Sequence, residues 1–472
     1  MAELGPSATM AAPLRTWSGR LVARPWLVAF VPINAATAGF GIVLPLLILI
    51  SLHGSWAEVA VAATLYNTAV ILSSIAWGHL ADAHPQRRAF LLLNYAVFAT
   101  LYAVLAGVRS IYALYGLYTV LGLVAPAGAN ASNLLILEKF GAEERATAFA
   151  SFQEMSMVGS IVGLLIGYVW TVSDDALRSL LYVLAALAAA SAVALWFGIR
   201  EAPQSLKTSN VAQHPESLFS RLRPHTASGA PVAFFPIRPP WRPRPIARFR
   251  AWAKEELRHE LPLILLASFL FNLSANLFNI SYTPYLYAAG LAASSIFLVN
   301  LSNNFVQTLV FPVTGGLANR MGVDRMVGRG AYLRALGYLA TAGFTFVALA
   351  RSATFGANLL VYGLLGGAVA VYTTSSSLML FRGLGRRDPG RLLGVNSALG
   401  GVAAVAGAGL SGVLALLGSF RVVFLVSSGI LLASIPLWAA ASLAYARRRD
   451  AAQPAHPAPS EPTAGGSPAK AR

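Results

Sequence analysis

Apolar runs of about twenty residues recur from about residue 25 to about residue 446, separated by short polar connections. That length constrains the fold more than any other feature. Twenty residues of α-helix rise about 30 Å, the thickness of a bilayer's hydrocarbon core, whereas a buried strand needs only about 4 to 8 residues. Hydrocarbon offers the backbone no hydrogen-bond partner, so a crossing run must close its bonds within itself, as a helix. Twelve such runs are read, near 25–52, 57–82, 89–108, 110–138, 146–171, 177–199, 261–288, 293–318, 327–349, 354–381, 391–417 and 420–446. Only 11% of residues are charged, against about 25% in soluble domains. The predicted class is an all-α polytopic membrane protein.

Six runs precede a long polar insert and six follow it. The predicted organisation is an N-terminal segment (1–24), a six-helix half (25–200), a basic Pro-rich linker (201–260), a second six-helix half (261–446) and a disordered tail (447–472). Within the linker, "PIRPPWRPRP" should be extended, and "IARFRAWAKEELRHEL" fits an amphipathic helix on an anionic lipid surface. The net charge of +17 is an orientation signal. Basic residues crowd the termini, the linker and the even-numbered connections; the odd-numbered ones hold only Arg109, Arg178, Arg351 and Arg421. Positive residues stay on the cytoplasmic side, so both termini are expected there, in a multi-pass protein of the plasma membrane. Nucleic acid is not an expected partner, and a monomer in the lipid bilayer is expected. No cleaved leader is expected. The chain has no cysteine, which excludes disulfides and thiolate metal sites.

The outer arginines also expose a repeat. Arg109 pairs with Arg351 and Arg178 with Arg421 at almost the same spacing, and "LYGL" at 114–117 answers "VYGL" at 361–364. The two halves are therefore expected to be pseudo-symmetric copies in one orientation.

The loop after the second run reads "GHLADAHPQRR" (78–88), and its cousin after the eighth reads "GGLANRMGVDR" (315–325). Twelve spans in two parallel halves with this loop resemble the major facilitator superfamily, over about residues 20 to 446. Gly78, Asp82, Arg87 and Arg88 fall on the family's pattern, as do Gly315, Arg320 and Arg325 in the second half. Ala83 and Pro85 depart from it, and Asn319 replaces the acid. The resemblance implies alternating access, in which the halves rock about a site near the midplane. It implies also that Asp82 latches onto the start of the eleventh span, near Arg391. A carboxylate suits the free N–H groups and positive dipole end of a helix start.

By the same resemblance, the first, fourth, seventh and tenth spans line the cavity. They carry Asn34 and Thr37; Tyr118, Asn130 and Asn133; Asn272, Asn276, Asn279 and Tyr282; and Tyr372, Thr373, Thr374 and Ser375. Side-chain amides must face protein or water in a bilayer, so each either lines the pathway or joins helices. Glu154, well inside the fifth span, is the candidate for proton coupling, with a neutral helix-bonding role as the alternative. Gly159, Gly163 and Gly167 read as a small-residue packing stripe. No basic residue is read near the middle of a span, which disfavours anionic substrates. No histidine lies at a midplane position suited to a metal, and no cofactor is expected. The drug-antiporter pattern is partial: Tyr118 stands where its arginine would precede Gly122, and the fifth span lacks proline. The expected function is a secondary transporter of a neutral or amphipathic small organic solute, an exporter by preference. Uptake of a sugar or nucleoside is the alternative. A receptor or membrane enzyme is the rival class, and no HExxH, P-loop or GxSxG stands at a sensible place for an enzyme.

Overall fold

The structure is a computed structural model that describes residues 25–83, 87–139, 142–173, 177–198, 260–347, 350–383, 389–417 and 419–452. The predicted interfacial helix and the tail lie outside these residues. The first span opens as a 3-10 turn, Pro25–Phe30, continues as α1, Val31–Leu46, and ends in a π-turn, Leu47–Ser51. The others are α2 (Trp56–Ala83), α3 (Arg87–Gly107), α4 (Ile111–Lys139), α5 (Ala142–Ser173) and α6 (Leu177–Gly198). After the linker come α7 (Leu261–Ala288), α8 (Ala293–Met321), α9 (Val323–Phe344), α10 (Arg351–Gly383), α11 (Pro389–Leu416) and α12 (Phe420–Ala452). All but α9 contain a stretch long and apolar enough to span a membrane. The exception carries Asp324, Arg325, Arg329 and Arg334.

Local chemistry explains several boundaries. Ser55 and Glu58 exchange hydrogen bonds at the start of α2, the reciprocal Ser-x-x-Glu cap that satisfies early N–H groups. Gly322 separates α8 from α9 at φ 81°, a conformation that side chains resist. Pro45, Pro126, Pro284, Pro312 and Pro436 lie inside helices. Neighbouring helices and local readjustment make such breaks tolerable in a membrane.

Pairing within the halves is symmetric. α1 packs on α5 and α6, α2 on α4, and α3 on α4 and α6. In the second half α7 packs on α11 and α12, α8 on α10, and α9 on α10 and α12. The closest approaches repeat too. A Cβ on Gly122 of α4 would lie 2.6 Å from the Tyr66 carbonyl oxygen of α2, and one on Gly366 of α10 would meet that of Asn303 in α8. Gly163 of α5 presses on the Ala35 backbone of α1, and Gly407 of α11 on Leu273 and Asn276 of α7. Interhelical packing in lipid depends on such contacts, because burying apolar surface away from water is no longer the drive.

Candidate functional site

The halves meet chiefly along two seams, α2 against α11 and α5 against α8. Gly401 of α11 packs on Ile71 and Gly412 on Ala60, while Gly167 of α5 receives the Phe297 ring of α8. At the end opposite the chain termini, Trp56 stacks on Phe420 with centroids 4.1 Å apart and planes 20° apart. The glycine stripe of α5 is thus confirmed as packing. Gly159 and Gly163 serve α1 within the half, and Gly167 serves the other half.

Three of the six amides read as pathway residues bond their own helices. Asn34 donates to the Phe30 carbonyl at 2.7 Å, Asn272 to Ser268 at 2.8 Å and Asn276 to Asn272 at 2.8 Å. Each keeps its amide oxygen free of that bond and is half-buried. Asn276 also faces Gly407 of α11, whereas Asn279 is exposed. Thr37 donates to the Asn34 carbonyl, and Thr373 to Val369. Thr374 bonds Thr314 of α8 at 3.0 Å, joining two helices. Tyr118 stacks on Tyr66 at 4.5 Å and tilts against Phe40. Asn130 is half-buried, and the side chain of Asn133 lies outside those described.

Two tyrosines of that set belong inside the second half. Tyr282 is 1% exposed, bonds Asn358 at 3.2 Å and stacks on Tyr362. Ten residues beyond Asn272, it has turned roughly 80° off the asparagine face. Tyr372 is 3% exposed and stacks on Phe271 of α7 at 3.4 Å. Glu154 is half-buried and partnered.

One residue corrects the sequence reading directly. Arg334 lies in the middle of α9 and is 6% exposed. Its Nε donates to the Tyr338 hydroxyl at 2.6 Å, and its guanidinium lies 4.8 Å from the Phe271 ring centroid. A basic residue does stand mid-span, so the argument against anionic solutes loses its premise. The missed signal was Gly322. A helix that starts just after it, rather than near residue 327, carries Arg334 deep into the span.

The motif residues are divided. The backbone puts Asp82 in the last turn of α2 and Arg391 in the first turn of α11, which pack together. The side chains of Asp82 and Arg391 lie outside those described, so the latch itself is untouched by these contacts, and the same holds for the surroundings of Gly78 and Gly315. Arg87 is buried in the first turn of α3. Arg88 donates to the Trp196 carbonyl at 2.5 Å and lies over that indole, pinning α3 to α6 inside one half. Arg320 and Arg325 are exposed on either side of Gly322.

The Major Facilitator Superfamily model matches residues 26–326 and 264–470. The chain belongs to that superfamily. No curated protein matches the sequence. Among solved structures, the superfamily chain resembles the nucleoside transporter NupG, with TM-score 0.66 and 12% identity over 88% of this chain and 98% of that one. An aspartate-to-alanine variant of NupG gives TM-score 0.64 and 14% identity over the same shares. At that identity the likeness concerns the fold. The superfamily's two-halved architecture agrees with the paired contacts above.

Proposed function

We propose that this superfamily member is a secondary transporter that carries a small amphipathic organic solute by alternating access. The observation that carries the reading is the pattern of contact between the halves. They adhere chiefly along α2–α11 and α5–α8, and family resemblance assigns the space between those seams to α1, α4, α7 and α10. Two bodies joined by two narrow seams can rock; a single fused bundle cannot. The exposed Asn279 and the half-buried Asn272 and Asn276 share a face of α7 and line the pathway in this reading. Export is the favoured direction, and coupling to protons runs through Glu154. Uptake of a neutral polar solute is the second reading, and the likeness to a nucleoside transporter favours it.

Flux into proteoliposomes containing the purified chain is the test. Asn276→Leu is expected to cut flux several-fold while melting temperature and yield stay near wild type. Parallel losses of flux and melting temperature would assign Asn276 to helix packing. No flux with any amphipathic solute, in either direction, would sink the transport reading.

A further inference from the structure

Asn34 of α1 and Asn276 of α7 occupy the same place in the two halves. The spacing between them is the one that also separates Arg109 from Arg351. Each sets its Cβ against a glycine of a neighbouring helix, Asn34 against Gly159 of α5 and Asn276 against Gly407 of α11. The rest of each seat repeats too. Gly159 meets the carbonyl of Val31 and the backbone nitrogen of Ala35, and Gly407 those of Leu273 and Leu277. Each asparagine also donates to the carbonyl four residues back, Phe30 or Asn272. Among the described residues, no other glycine provides such a seat for an asparagine.

The back-bond decides which way each amide points. A carbonyl can only accept, so the nitrogen faces the helix and the amide oxygen faces away from it. Seat and back-bond together hold the side chain in one rotamer. Each asparagine then offers an oxygen and its second N–H. Their neighbours tip the balance toward acceptors. Thr37 spends its hydroxyl proton on the Asn34 carbonyl, and Asn272 spends one N–H on Ser268.

These side chains are half-buried, and the face they share is open. Gly41, about two turns beyond Asn34, is exposed and has nothing within 4 Å of where a Cβ would lie. Asn279, just under one turn beyond Asn276, is exposed. Of the spans long and apolar enough to cross a membrane, those of α1 and α7 are the most buried, so openings on them lie within the bundle. The opposite face of α7 is occupied. Phe278 stacks on Tyr338 of α9, and Ser274 donates to the Ser427 carbonyl of α12, both about 160° round the helix from Asn276. The asparagine face therefore points away from α9 and α12, and α7 touches α1 of the other half.

We propose that Asn34 and Asn276 are a pseudo-symmetric pair of acceptors, one on each half, that take the N–H groups of a neutral solute of the amide or urea class. Fixed oxygens repel a carboxylate, and no carboxylate among these side chains balances a cation. A solute with N–H groups on two edges is gripped by both halves at once. The inference rests on the transport reading and names the polar end of its amphipathic solute.

The test is equilibrium dialysis of radiolabelled phenylurea against the purified full chain. Unlabelled phenylurea is expected to displace the label. Its fully N-methylated analogue, sodium benzoate and benzylammonium chloride are each expected to displace it roughly tenfold less well, as the loss of one hydrogen bond requires. Asn34→Leu and Asn276→Leu are each expected to weaken phenylurea binding by a similar factor, with melting temperatures near wild type. If one leucine variant does not fold, the other variant and the methylation series decide. No phenylurea binding, equal displacement by the methylated analogue, stronger displacement by either ion, or binding unchanged in both variants overturns the proposal. Binding that depends on the N–H groups in a chain without flux keeps the site and removes the transport reading. Flux indifferent to N-methylation of the solute does the reverse.

Discussion

Glu154 sits half-buried in α5, just over one turn before the glycine that admits α1. A carboxylate at such depth costs a few kcal/mol when ionised, so it either neutralises or is held by a neighbour. Glu154 has an interaction partner. Coupling through Glu154 demands that this interaction be exchangeable for a proton during the proposed cycle. Glu154→Gln is expected to abolish accumulation driven by an imposed pH gradient and to preserve downhill exchange in proteoliposomes. A mutant that still concentrates solute would leave Glu154 as a helix bond. At this scale the sequence was a partial guide. The polar residues of α7 could be placed on one face from their spacing, because helical pitch is fixed. Whether a tyrosine such as Tyr282 turns inward depends on Asn358 and Tyr362 of α10, far along the chain, and no local pattern carries that information.

The helices themselves were legible because the bilayer imposes their length and composition. The least legible was α9, whose three arginines lower its hydropathy and whose start is set by the positive φ of Gly322. Which helices touch was harder to read, since small residues recur on many faces. The glycines that matter are those with a backbone against them. A side chain on Gly163 would meet the Ala35 carbonyl, and one on Gly407 that of Leu273 at 2.9 Å. Forcing a branched residue into such a gap costs about 1–3 kcal/mol. Gly163→Val is expected to lower the melting temperature in detergent clearly, whereas Gly116→Val, at a glycine with open space around it, should cost no more than helix propensity does. Equal effects at the two sites would show that α1 and α5 tolerate separation.

For the molecule as a whole, the proposed alternating access raises the question of what would keep each end shut in turn. The far end has the Trp56–Phe420 stack across the halves. The end near the termini has the two helix ends that carry Asp82 and Arg391, in the latch that family resemblance implies. Single cysteines placed at either end of this cysteine-free chain report the balance by their labelling rates. Asp82→Asn is expected to speed labelling at the end near the termini and slow it at the far end, and Trp56→Ala to do the reverse. Labelling rates unmoved by Asp82→Asn would dismiss the latch.

The aromatic stack at the far end also bears on the speed and reversibility of the cycle. A pair of stacked rings contributes about 0.5–1.5 kcal/mol beyond its buried area, which corresponds to roughly a two- to thirteenfold change in a conformational ratio. In the alternating-access cycle proposed above, a fastening that weak would hold the far end closed without trapping it. The difference in affinity of a solute for the two conformations is then large enough to reset their populations, and thermal motion can reverse them. In that proposed cycle the gate would be poised, and what passes through it would decide which way it stands.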